Sequence, residues 1–220
     1  NPAVSGYRIV WQDMRSGNAD IYLYDVKNRV EQIVCSDNGN QTDPDIDGDV
    51  VVWSDDRDGD WNIYLKDLST NQQKRVTSAQ RDQITPKVSG SRVVWADDRS
   101  GNFDIYMYDI KSGSERAICT ATGDQTLPAI DGDIIAWADN RSGEMDIAFF
   151  DLSSGKETVL ARPGIQTAPS IWGRNITWQN NGTEIVLYDI DTGEETVLIR
   201  GPIVMEPAIG ERGVVWTDYR

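Results

Sequence analysis

Apolar residues in this chain come in short runs, and the runs recur. In the stretch 91–132, SRVVWADDRSGNFDIYMYDIKSGSERAICTATGDQTLPAIDG, a run ending in Trp95 (Val93, Val94, Trp95) is followed by the polar turn DDRSGN. A second run alternates Ile105 and Met107 with Tyr106 and Tyr108. A KSGS turn leads to a third (Arg116, Ala117, Ile118), and QTLP introduces Ala129 and Ile130 before the turn DGD. Each run is short, rich in β-branched or aromatic residues and bounded by Gly, Asp, Asn or Pro, so each predicts a strand and each gap a turn. No segment keeps a helical period over about ten residues.

Four other stretches are altered copies of this unit and a sixth is begun. Trp11, Trp53, Trp95, Trp137, Trp178 and Trp216 mark them at intervals of 42, 42, 42, 41 and 38 residues. A period near 40 with four short strands per unit predicts an all-β fold, a β-propeller of four-stranded antiparallel blades. Leucine-rich and hexapeptide solenoid units are shorter, and ankyrin and tetratricopeptide units are helical. Pro2, Pro44, Pro86, Pro128, Pro169 and Pro207 open the units, giving blades at 2–43, 44–85, 86–127, 128–168 and 169–206 and a two-stranded partial sixth at 207–220. The repeats cover nearly the whole chain, so one domain over 1–220 is expected.

With strands a to d counted from the axis outward, b carries the Trp and c is DIYLYD or its equivalent. Strands b and c are apolar on both faces, which blades stacked face to face explain. In the second blade Val51 and Trp53 point to one side and Val52 to the other, each side meeting a sheet about 10 Å away. The repeated Trp therefore reads as a packing residue between blades rather than an exposed platform. Blade five departs from the pattern. Its hairpin QNNGTEI is shorter and lacks the Arg, and Trp172 adds an aromatic in its a-to-b turn, the best single hint of a local contact.

Proline opening strand a, an SG or DG turn, a strand b ending in an aromatic, a D-x-R-x-G-N-x-D-I-Y hairpin and a D-x-x-x-G turn together resemble the TolB-type, WD-like propeller repeats. The resemblance covers the whole chain. It implies an extracellular, cell-surface or periplasmic propeller that acts as a non-catalytic binding or scaffold module for protein or glycan partners. Some propellers of this type are pectate-fragment lyases that use metal-binding His residues. This chain has no His, so that activity does not carry over.

Composition narrows the classes further. A formal charge of −15, from 36 acidic and 21 basic residues, disfavours nucleic acid, whose binding depends on Lys and Arg displacing counterions. No apolar run approaches the roughly 18 to 20 residues of a spanning helix, so no membrane insertion is expected. The sequence begins at Asn1 without a signal-like segment and reads as a processed or excised piece. Cys35 and Cys119 occupy the same position in the outermost strands of blades one and three. A disulfide needs Cα atoms within about 7 Å, so two free thiols are expected. Four Asn-X-Ser/Thr sequons, at Asn40, Asn140, Asn175 and Asn181, are compatible with a glycosylated exterior.

Strand connectivity places the b-to-c hairpins at the same end as the d-to-a loops. Gln41, Gln83, Gln125 and Gln166 stand three residues before Pro, with Val204 in the last unit. They are candidate ligand contacts at a channel mouth, set against a role satisfying backbone groups of their own loops. Arg15, Arg57, Arg99 and Arg141 follow each Trp by four, and Asp13, Asp55, Asp97 and Asp139 by two. These Arg and Asp residues suit a structural latch, with Arg reaching a carboxylate bidentately, on the next blade in one reading, or else recognition of an anionic or glycan partner. With Trp172 they complete the candidate binding set.

Asp43, Asp45, Asp47 and Gly48 imitate the start of a calcium loop, but Ser54 stands where the twelfth-position Glu belongs. No metal and no cofactor is expected. Without His, a Ser-His-Asp triad and a His general base are excluded. The alternative to a binding module is a carbohydrate-active enzyme, a glycoside hydrolase or lyase, using paired carboxylates. The rim Asp residues, however, repeat almost equivalently, and such catalysis needs one asymmetric pair. Finally, the unfinished last blade has three readings: the sequence is a fragment of a longer protein, the ring is five-bladed with a surplus hairpin, or a second copy completes the blade along the unpaired Gly213 to Trp216 edge.

Overall fold

A computed structural model describes residues 2–219. All of its regular structure is strand. Five four-stranded antiparallel sheets follow one another: β1 (Ala3–Ser5), β2 (Arg8–Asp13), β3 (Asp20–Asp25) and β4 (Val30–Cys35); β5 (Gln41–Asp47), β6 (Val50–Asp55), β7 (Asn62–Asp67) and β8 (Gln72–Arg75); β9 (Gln83–Ser89), β10 (Arg92–Asp97), β11 (Asp104–Asp109) and β12 (Ser114–Cys119); β13 (Gln125–Asp131), β14 (Ile134–Asp139), β15 (Asp146–Asp151) and β16 (Lys156–Leu160); β17 (Gln166–Trp172), β18 (Asn175–Asn180), β19 (Glu184–Asp189) and β20 (Glu195–Arg200). A two-stranded sheet, β21 (Val204–Gly210) and β22 (Gly213–Asp218), completes the set. This is the propeller of five four-stranded blades and a two-stranded sixth that the repeat predicts. The chain divides into two compact units between Ala117 and Ile118.

In blades two to five strand a opens at the Gln rather than at the proline three residues later, and in the last at Val204. The reason is a bulge. Asp43, Thr85, Leu127, Ala168 and Glu206, each just before its Pro, have φ between 50° and 53°, and the register against strand b slips there in every case. Proline disfavours right-handed α geometry in the residue before it. Here that residue is the extra one of the bulge and goes left-handed, so strand a continues past it.

In the first unit, Val51, Trp53, Ile46 and Tyr64 of blade two pack with Val10, Ile21, Leu23, Val34 and Cys35 of blade one. On its other face, Val52, Ile63 and Leu65 pack with Val88, Val93 and Trp95 of blade three. The second unit repeats the arrangement, with Ile134, Ala136, Ile147 and Phe149 of blade four against Ile176, Trp178 and Val186 of blade five. Blade two is thus covered on both faces, as its doubly apolar b and c strands require.

Trp53, Trp95, Trp137 and Trp178 are 0 % exposed, whereas Trp11 is half-buried. Its sheet face also carries Val4, 65 % exposed where the matching Ile46 is 5 % exposed. Trp95→Ala should therefore cost about 3–5 kcal/mol and Trp11→Ala clearly less. The midpoints of urea unfolding measure both, and equal losses would contradict interfacial packing as the role of the Trp.

Candidate functional site

The end of strand b concentrates the polar chemistry of each blade. Trp Nε1 donates to the Asp two residues on, at 3.0 Å for Trp11 and Asp13, 2.9 Å for Trp53 and Asp55, and 2.8 Å for Trp95 and Asp97 and for Trp137 and Asp139. The same carboxylate accepts the backbone N–H of the following Arg at 2.9–3.1 Å. It also accepts that Arg's guanidinium. In blades two to four, Nε of Arg57, Arg99 and Arg141 lies 2.8–2.9 Å from Oδ1 while Nη2 bonds Oδ2.

The outer Arg nitrogens reach a second acid. Arg15 bonds Glu31, Arg99 bonds Glu115 and Arg141 bonds Glu157 at 2.6–2.7 Å. These partners lie on strand d of the same blade, and Arg57 pairs with Asp37 in the loop of the preceding blade. None of the four reaches the next blade, because the fork is already held by its own hairpin. In the first three blades the guanidinium also lies 4.0–4.4 Å over the ring of Tyr22, Tyr64 or Tyr106.

The side chains of Asp55, Asp97 and Asp139 are wholly buried. Burial alone pushes the Asp139 carboxyl up. The Arg141 guanidinium, the Trp137 N–H and the Arg141 backbone N–H outweigh it and hold the carboxyl below its ordinary value of 3.8. Burial also raises the thiols of Cys35 and Cys119, unpaired in the structure, to about 11. They accept from Nη2 of Arg57 and Arg141 at 3.1 and 3.0 Å.

The d-to-a loops meet these hairpins within each unit. Asp56, Asp98, Asn140 and Asn181 each accept, through side-chain Oδ1, the backbone N–H of Asn40, Asp82, Asp124 and Ile165 at 2.5–2.9 Å. Their own N–H groups donate back to the carbonyls of those residues at 2.8–3.1 Å. One residue earlier the loop turns left-handed at Gly39, Gly123 and Gly164, with Arg81 at φ 70° in the third blade. The loop-and-hairpin rim read from connectivity is thus built by reciprocal hydrogen bonds.

The four glutamines are 0 % exposed. Their Nε2 atoms donate to loop carbonyls: Asp37 and Asn38 for Gln41, Gln80 and Arg81 for Gln83, Thr122 and Gly123 for Gln125, and Arg162 for Gln166. This geometry matches the role of satisfying their own loops. Trp172, 44 % exposed, does not share their rim. In β17 it pairs with Asn175 at one end while Gln166 pairs with Asn180 at the other, since an a-to-b turn lies a strand length from the loops.

Exposed apolar residues stand instead in the loops of the second unit. Ile165 and Ile203, 58 % and 46 % exposed, precede Gln166 and Val204. The corresponding residues in the earlier loops are Asn40, Asp82 and Asp124. Tyr219, also exposed, donates its backbone N–H to the Ile203 carbonyl at 3.1 Å. The signal was present in the repeats as a change from polar to apolar at one position.

Among the described residues, no three His, Cys, Asp or Glu side chains gather to hold an ion, and no helix is long and apolar enough to cross a membrane. Asp139→Asn gives the latch a pH test. A depressed folded pKa contributes stability that is present above 3.8 and lost as pH falls through the lower folded value. The variant should be less stable at neutral pH and lose less on acidification from about pH 6 to about pH 2, read as thermal midpoints. Parallel acid limbs would refute the assignment.

The TolB beta propeller domain family matches residues 2–200. Among solved structures, TolB from Acinetobacter baumannii superposes with a TM-score of 0.72 at 22 % identity, over 100 % of this chain and 57 % of that one. A structure described as TolB from Agrobacterium tumefaciens gives 0.71 at 18 % identity, over 98 % and 87 %. An oligogalacturonate lyase in complex with manganese gives 0.67 at 14 %, over 97 % and 68 %. At these identities the likeness is one of fold. No curated protein matches the chain.

Proposed function

We propose, from the premise that the chain belongs to the TolB beta propeller domain family, that it is a non-catalytic extracytoplasmic module that binds or spaces protein partners through its loop-and-hairpin ends. The fold is consistent with a binding module. The observation that carries the protein partner is that Ile165 and Ile203 are exposed where the matching residues of the earlier loops are Asn40, Asp82 and Asp124, with the exposed Tyr219 hydrogen-bonded to Ile203. Exposed apolar side chains rimmed by polar ones mark interaction sites. Against catalysis stands the near-equivalence of the rim carboxylates. In four blades the Asp after Trp is taken up by an indole N–H, an Arg and a turn N–H. No one of them is set apart as an acid or base. The buried glutamines support the binding end from within, Arg57, Arg99 and Arg141 are largely taken up by their ion pairs, and Arg15 stands exposed.

The test is site-directed photocrosslinking in cell-envelope preparations of the source organism. A crosslinker at Ile203 should capture a defined protein that the same group at Trp172 does not, and Ile165→Asp with Ile203→Asp should abolish capture while the circular dichroism stays unchanged. Undiminished capture by the double variant overturns the surface. Release of reducing or unsaturated ends from polysaccharide by the purified chain overturns the non-catalytic reading in favour of a glycoside hydrolase or lyase.

A second reading concerns self-association. Strand β22 is paired only with β21 among the described residues, and Val215 is 67 % exposed where the matching Val52 is 0 %. We propose that a second copy adds strands along Gly213 to Trp216, as unpaired sheet edges template. Sedimentation velocity should show concentration-dependent association that Val215→Lys removes. A monomer at high concentration refutes it.

A further inference from the structure

We propose that Asn181 is a site of N-linked glycosylation, the one sequon of four that the folded chain presents to a transferase. The proposal rests on the extracytoplasmic reading, where such enzymes act. An acceptor must offer its carboxamide nitrogen and the hydroxyl two residues on, in a surface loop. The structure sorts the four sequons by that demand.

Asn175 lies in β18, laddered on both sides by β17 and β19. Its Thr177 is fully buried, with Oγ1 donating to the Val186 carbonyl at 2.8 Å. Asn40 commits Nδ2 to Asp56 at 2.9 Å and its backbone N–H to the same carboxylate. At Asn140 the middle residue is Arg141, fixed on Asp139, and the hydroxyl of Ser142 donates to Asp146 at 2.7 Å. Each of these three would have to break structure to be modified.

Asn181 shares with Asn140 the bond from a loop N–H to its Oδ1, and differs in its exposure, its middle residue and its hydroxyl. It is exposed, and so is Thr183. Gly182, with φ 65°, stands between them. Oδ1 accepts the Ile165 N–H at 2.8 Å, which leaves Nδ2 as the free end of the carboxamide. A Cβ at Gly164 would collide with that carboxamide, so glycine there keeps the room it occupies. The hairpin also lacks the Asp and Arg that latch the others. Trp178 Nε1 and Asn180 Oδ1 are buried without a hydrogen-bond partner, and the turn is closed instead by Asn180 Nδ2 donating to Glu184 at 3.0 Å, which Arg200 meets at 2.7 Å. The backbone of the turn is tied to its neighbours, the carbonyls of Gly182 and Thr183 accepting from Val204 and Gly201, but modification at Nδ2 displaces no side-chain hydrogen bond of this sequon, whereas each of the other three sequons holds its amide or its hydroxyl in one.

The chemistry is a substitution on a lipid-pyrophosphate-linked oligosaccharide. Nδ2 of Asn181 forms a bond to the anomeric carbon as the bond from that carbon to the pyrophosphate oxygen breaks. The lipid pyrophosphate leaves with the electron pair, and the proton lost from Nδ2 passes to a base of the transferase. Nothing is oxidised or reduced. Oδ1 keeps its place, so the bond from Ile165 survives modification. A glycan there borders Ile165 and limits approach to that side of the apolar group.

The test supplies both enzyme and donor, so its result does not depend on where the protein resides. The folded chain and synthetic peptides spanning each sequon are incubated with a single-subunit oligosaccharyltransferase that accepts Asn-X-Ser/Thr and a lipid-linked oligosaccharide. Sites are mapped by glycopeptide mass spectrometry. In the folded chain Asn181 should be modified at least about tenfold faster than Asn40, Asn140 or Asn175, whatever the order among peptides. Thr183→Ala should abolish modification at Asn181, and Thr183→Ser should retain it. Comparable rates at the four sites, or a modified Asn181 peptide beside an unmodified folded chain, overturn the proposal.

Discussion

A carboxylate buried at the end of strand b is the constraint from which the blades take their form. In blades two to four it has no exposed surface, and a charge in that position survives only if it is paired and hydrogen-bonded. The surrounding residues answer that demand at once: the indole N–H of the Trp, the backbone N–H of the turn and the guanidinium of the Arg. Each bond has a structural effect. The first orients the Trp ring into the space between sheets, the second closes the hairpin, and the third carries the Arg over the Tyr of strand c. In these blades the hairpin and the Trp that packs between sheets are thus joined through one carboxylate.

The same economy runs through the loops. Asp56, Asp98 and Asn140 reach from the hairpin to the loop N–H, and the loop carbonyl is returned by the hairpin N–H. Buried glutamines then fill the loop interiors with donors to its carbonyls. The repeated Arg, Asp and Gln side chains all bond within the blades and loops, with Oε1 of Gln41, Gln83 and Gln166 left without a partner. The repeat leaves Ile165 and Ile203 exposed, and one left-handed loop position carries Arg81 in place of Gly.

Blade five shows what happens when the carboxylate is removed. Asn180 replaces the Asp, the Arg is missing, and Trp178 keeps its place in the core with an unpartnered N–H. Packing alone holds the ring there, against Ile134, Phe149 and Val186 among others. The hairpin that results is shorter and is bonded to the loops on both of its sides, through Ile165 and through Gly201 and Val204.

Much of this was legible in the chain. The Trp period, the doubly apolar b and c strands and the turn residues determine sheet number, strand order and which face each Trp takes, because these follow from periodicity and burial at short range. The pairing of Asp and Arg was legible as chemistry but not as geometry. Whether Arg99 reaches Glu115 on its own blade or an acid on the next depends on how far strand d lies from the hairpin, which only the packed sheet decides. So too for the glutamines, whose burial depends on loops closing over them, and for Trp172, placed a strand length from the rim. Strand a could not be bounded from its proline either, since a left-handed residue before proline is disfavoured locally and is tolerated here through the ladder on either side. Sequence supplied the alternation and the partners. Tertiary structure decided which of several chemically equal partners came within reach, because distance, unlike composition, exists only once the sheets have packed.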